Sequence, residues 1–192
     1  MNTERSYSRT EHDGLDRRKM SSFGAQPIVV DDDLETVVSL ERLGLRPPNA
    51  SVLPRNFVTA QSPEEFIFEE MTPTIQKLGR KVGLMVDVLG PVGYRSIHEK
   101  DAEIVAPVLL FAQSFLVEGG ASLTVAFLEH LGHHIASRWG PKITRERAAV
   151  LEIVVTNGRR AKRVRYSGPL DGLATIVPVA QRAFDKDDGD DE

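Results

Sequence analysis

The chain has 192 residues, 41% of them hydrophobic and none of them cysteine, with a formal charge of −4. That length suits one domain with tails, and the hydrophobic share is enough for a core. Lack of cysteine excludes disulfide scaffolds, thiolate zinc sites and cysteine nucleophiles, and agrees with a cytoplasmic location; the net negative charge argues against a surface that grips nucleic acid all over, leaving only a local patch.

The first residues, MNTERSYSRTEHDGLDRRKM, are polar and mixed in sign, with no apolar stretch for a signal or anchor. Residues 1–25 are expected to be disordered, 26–184 to form a single α+β domain, and 185–192 to be an acidic disordered tail. Asp31, Asp32 and Asp33 precede LETVVSLERLG, whose Leu34, Val37 and Val38 fall at helical spacing before Gly44. The aspartates suit a helix N-terminus by capping and dipole chemistry; the competing reading is a divalent-metal cluster, which no other acidic residue nearby supports.

Ser62-Pro63-Glu64-Glu65 reads as a capping box with proline at the first helical position, so a helix is expected from Pro63, kinked or restarted at Thr72-Pro73 and running to Gly83. LMVDV alternates and predicts a short strand. The most apolar stretch, residues 104–131, is divided by Pro107, Gln113, Glu118 and Gly119-Gly120. It is too interrupted for a membrane span. Two helices joined or bent at Gly119-Gly120 are expected to form the core, or else to offer an apolar face to a partner. His130 and His134 lie four apart, as do Glu129 and His133, but Leu131 stands where a zinc-protease helix needs its glutamate and Gly132 loosens the turn. No metal and no cofactor is expected.

After the loop WGPKITRER, AVLEIVVT, the pair Asn157-Gly158 and AKRVRYSG predict a β-hairpin with a type I′ turn. Residues 159–165 hold five cations: Arg159, Arg160, Lys162, Arg163 and Arg165. By period-2 alternation Val164 and Tyr166 share one strand face with Lys162, and Ala161, Arg163 and Arg165 share the other. Val164 and Tyr166 should therefore be buried and the arginines outward. The basic run then reads as a solvated face, as a dock for an acidic partner or the acidic tail, or as a phosphate or nucleic-acid site; for the last, an exposed aromatic would be needed. A closing helix follows, with Asp171 as N-cap, an apolar face of Leu173, Ile176, Val177, Ala180 and Phe184, and a kink at Pro178.

No nucleophile elbow, phosphate loop, dinucleotide fingerprint or zinc-protease helix occurs, so no catalytic residue is assigned and the reading leans away from an enzyme. The helices around GGASLTVAFLEHL, the hairpin, and the Y-x-G-x-x-x-G-L turn of Tyr166, Gly168, Gly172 and Leu173 resemble effector-associated, adaptor-like domains of bacterial conflict systems and similar bacterial proteins. The resemblance covers roughly residues 104–184 and implies a non-catalytic adaptor coupled to a separate effector. The expectation is thus an α+β fold, a helical core with a C-terminal β-hairpin and closing helix, binding a protein partner or itself. The alternative is a nucleic-acid-binding regulator acting through the basic hairpin 157–166.

Overall fold

The computed structural model describes residues 28–90, 95–97, 104–139 and 149–185; the expectations for residues 1–25 and 186–192, and for the loop after Trp139, lie outside them. Strand β1 (Val29–Asp32) leads directly into helix α1 (Leu34–Arg42). Asp33 is the hinge between them: its carboxylate accepts from the Thr36 N–H at 3.1 Å and the Thr36 hydroxyl at 2.8 Å, which satisfies an otherwise orphaned donor of the first turn. So the aspartate triplet caps a helix as expected, but through Asp33 alone, the other two belonging to the strand. Gly44, at φ +63°, ends the turn after α1.

Strand β2 (Ala50–Val52) is followed by a single 3-10 turn (Pro63–Glu65), strand β3 (Ile67–Glu69) and helix α2 (Thr72–Lys81). The long helix expected from Pro63 is therefore corrected. The Ser62 side chain makes no capping hydrogen bond to the turn, Phe66 and Phe68 are drawn into the core, and Pro73 opens α2 from its first turn, where a missing N–H costs nothing, instead of kinking it. Strand β4 (Asp87–Val88) matches the alternation of LMVDV, and β5 (Arg95–Ile97) pairs in parallel with β3 as a small separate sheet.

The apolar stretch begins as strand: β6 (Ile104–Val105) and β7 (Leu109–Ala112). It then becomes helical through α3 (Gln113–Phe115), a wider turn (Leu116–Gly120) and α4 (Ala121–Trp139). Strands β8 (Ala149–Asn157) and β9 (Arg160–Gly168) form the hairpin, and a 3-10 segment (Leu170–Thr175) leads into the closing helix α5 (Ile176–Gln181).

These strands make one mixed sheet in the order β1-β9-β8-β7-β2-β4, with β6 lying beside β8 in line with β7. Between the register Val105↔Val150 and the register Leu109↔Ile153, residues 106–108 stand against only two residues of β8. That is a bulge, placed where Pro107 has no N–H to give to the ladder.

The sheet overturns the expected helical core. Leu109, Leu110 and Phe111, consecutive and so pointing to both faces, are all sealed from solvent between β8 and β2. A strand covered on both faces has no polar alternation to betray it, and its run of apolar residues imitates a buried helix. The expected bend survives only at Gly119, whose φ of 118° breaks the helical path before α4.

Helix α4 packs on the 3-10 segment and α5, burying Phe127, Leu128, Leu131 and Ile135. Each such side chain contributes roughly 1.5–3 kcal/mol by leaving water. Gly132, far from loosening the helix, lets it approach: a Cβ there would lie 2.9 Å from the Leu170 carbonyl oxygen. The closing helix exists with the expected apolar face, Leu173, Ile176, Val177, Ala180 and Phe184 all being buried. Its N-terminal segment is 3-10, with Pro169 at the N-cap position, no side-chain cap, and Asp171 inside the first turn. Among the described residues no helix is long and apolar enough to cross a membrane.

Candidate interaction surface around the basic hairpin

The hairpin pairs Asn157 with Arg160, so its two loop residues are Gly158 and Arg159, one position later than expected. A type I′ turn needs positive φ at both loop positions. Only Gly158 has it, at +59°, which is the pattern of a type II′ turn. Moving the turn by one residue does not change which residues share a face of β9. Val164 and Tyr166 are buried, as expected, against Ile153 and Leu151 of β8.

The Tyr166 side chain also explains the Y-x-G-x-x-x-G spacing. Its hydroxyl donates to the Pro169 carbonyl at 2.6 Å. A Cβ on Gly168 would stand 2.7 Å from that hydroxyl oxygen, and one on Gly172 would overlap it. Two glycines are thus the room in which the ring lies. Burial, and then the charge of Asp171, push the phenol of Tyr166 above its ordinary pKa.

Each of the five cations faces a group of the same chain. Arg163 is the centre: its Nε and Nη2 reach Asp33 Oδ2 at 3.0 and 2.8 Å, and its Nη1 donates to Glu152 Oε2 at 2.6 Å. The Arg165 Nε donates to the other oxygen of Glu152 at 2.8 Å. On the opposite face, Lys162 pairs with Asp32 at 2.9 Å, and the Arg160 guanidinium lies 5.2 Å from the ring centroid of Phe184. Arg159, at the tip, meets Glu41 of α1 at 3.5 Å.

Burial alone would lower the Arg163 pKa; the hydrogen bond to Glu152 and the charges of Asp33 and Glu152 outweigh it and hold the guanidinium above its ordinary value. Asp33 therefore has two tasks, capping α1 and anchoring Arg163, and through it the helix is tied to β9 and β8.

Sequence spacing missed these partners, since Asp33 and Arg163 stand 130 residues apart. Glu152 was within reach. Counting back from the turn puts it across from a cation of β9, and the observed register sets it opposite Arg165.

Most of the apolar stretch 104–131 is covered by the chain's own sheet and helices, β7 and the inner face of α4 included, while Val117 and Leu123 remain exposed. Other large exposed apolar side chains lie along β1 and α1: Val29 and Val30, on opposite faces of the strand, and Leu34 and Val38 of the helix. Leu34 and Val38 are one turn apart, on the face that continues to Arg42. Arg42 in turn donates to the Val58 and Ala60 carbonyls at 3.0 and 2.6 Å, which brings exposed Val58 to the same side.

The histidines of α4 stay separate. His133 Nδ1 lies 2.8 Å from the Glu129 carbonyl oxygen, His130 is exposed, and among the described residues no group of three or more histidine or acidic side chains could hold a metal ion. No family model matches the chain, and neither the curated proteins nor the solved structures gave a match.

Proposed function

We propose that this protein is a non-catalytic interaction domain that docks an extended segment of a protein partner along the open edge of β1 and the outer face of α1. One observation carries the reading. Val29, Val30, Leu34 and Val38 are 43, 40, 69 and 60% exposed along β1 and α1, and among the described residues β1 is paired on one side only, with β9. Isolated exposed apolar residues are ordinary; aliphatic side chains exposed on both faces of an edge strand, followed by two more one helical turn apart, are a surface on which strand addition works. Asp31 and Glu35 flank the cluster, so the complementary segment alternates apolar with basic side chains.

The polyanion alternative has less to draw on. A phosphate contact needs a cation that displaces the nucleic acid's counterions, and each of the hairpin's cations already faces a group of the chain: Asp32, Asp33, Glu41, Glu152 or Phe184.

The test is capture from nuclease-treated native lysate by the wild type and by the double variant Leu34→Asp, Val38→Asp, with sizing of the purified protein alongside. The expected result is a protein that survives nuclease and is lost with the variant, at unchanged melting temperature. If the sizing shows self-association that the variant abolishes, the partner is a second copy of the chain. Capture that vanishes with nuclease, or that the variant retains, would overturn the proposal.

A further inference from the structure

Between α1 and the hairpin tip lies a cleft of about 570 Å³, beside the face of α1 that carries Leu34 and Val38. Its walls are Val37 and Leu40 of α1, Leu45 and Pro47 of the following loop, and Ala112 at the end of β7. The volume falls within the range of small-molecule sites. Its position is also that of ligand sites in sheets with parallel pairs, outside the carboxyl ends of adjacent parallel strands. Ala112 and Thr156 are register partners at the ends of parallel β7 and β8, and both line it.

Three exposed polar residues also line the cleft: Arg46, Ser114 and Asn157. None of them has a hydrogen bond or ion pair among the described residues, in contrast to the hairpin cations. The neighbouring polar groups of the cleft are already used. Thr156 donates to the Phe111 carbonyl, and Glu41 holds Arg159 across the rim. A guanidinium, a hydroxyl and an amide beside aliphatic side chains make a set suited to an oxyanion carried on a small apolar body.

We infer that this cleft binds a small organic anion, a carboxylate or a phosphate monoester, with Arg46 as its charge partner, Ser114 and Asn157 as hydrogen-bond donors, and Val37, Leu40 and Leu45 against its apolar part. The inference does not rest on the docking proposal, which concerns Leu34 and Val38, neither of which lines the cleft.

The test is amide-resolved NMR titration of the full chain with benzoate, phenyl phosphate and, as the neutral control, benzyl alcohol. At least one anion is expected to shift the amides of Gly44, Arg46, Ser114 and Gly158 with saturation, and the two anions separate the carboxylate from the phosphate source. Arg46→Ala and Asn157→Asp each weaken that binding about tenfold or more, as loss of a hydrogen bond to a charged group or addition of a repelling carboxylate would. Both positions are exposed, so both variants keep the wild-type melting temperature. Saturation by benzyl alcohol at the same level, affinity unchanged in Arg46→Ala, or shifts confined to Arg163 and Arg165 would overturn the inference, as would no response to either anion.

Discussion

The basic hairpin and the β1–α1 edge reverse what their sequences suggest. The hairpin, with its crowded cations, is the satisfied region: carboxylates of β1, of α1 with its cap and of its own strand β8 meet them, and Phe184 takes the remaining arginine. The edge, an unremarkable VVDDDLETVV, is the unsatisfied one, leaving four aliphatic side chains in water. A run of charge needs only partners at the right distance. The aliphatic side chains of the edge are left largely uncovered among the described residues, and so point outward.

The sharpest way to break that contrast is to remove its centre. Arg163→Ala leaves Asp33 buried, with its carboxylate facing the vacated site, and leaves Glu152 with Arg165 alone. Removing one member of a buried ion pair costs about 3–5 kcal/mol. With the Arg163 side chain still 25% exposed, water replaces part of the loss, so a drop of about 2–3 kcal/mol in urea-unfolding stability is expected. The Leu34→Asp, Val38→Asp variant changes stability by no more than about 0.5 kcal/mol per site, because those side chains are mostly in water. Equal costs on the two sides would erase the distinction.

A smaller effect tests whether β9 is held by its packed face as well. Gly172→Ala puts a methyl into the space of the Tyr166 hydroxyl and should cost about 1–3 kcal/mol, as overpacking does. Tyr166→Phe removes the hydrogen bond to Pro169 and should cost about 1 kcal/mol. The same residue sets a pH dependence. Its folded pKa is raised, so the folded state holds the phenol proton more tightly than the unfolded chain does. That stability is complete below about pH 10 and is lost as pH rises through the folded value. Melting curves should show an alkaline decline in the wild type that is shallower in Tyr166→Phe; parallel declines would mean that the phenol is not what is titrating.

How far the sequence led follows from where information is local. The faces of β9 and the apolar side of the closing helix could be read by counting, because alternation and helical spacing are properties of neighbours. The strand at 104–112 could not, since its lack of alternation comes from being covered by β8 on one side and β2 on the other, both distant in sequence. Strand β1 was missed because four residues with two acidic side chains carry no β signal of their own. The aspartates that looked like capping residues proved to be that and something more. Asp32 and Asp33 are also the counter-charges of Lys162 and Arg163, a link that only the closed sheet makes.

The smallest effect belongs to the tip. Arg159 is 92% exposed and its pairing with Glu41 is long, at 3.5 Å. Exposed pairs of this kind contribute between about 0 and 1 kcal/mol, since water screens the charges and two long side chains must be held still. Arg159→Ala should therefore leave stability within about 0.5 kcal/mol of wild type. Its informative readout lies elsewhere. Glu41 lines the cleft, so freeing its carboxylate places an unpaired negative charge at the rim, and anion binding there should weaken while capture of a protein partner on the outer face of α1 is unaffected. If both fall together, the two faces of α1 are one surface and the contrast between hairpin and edge is not a division of labour.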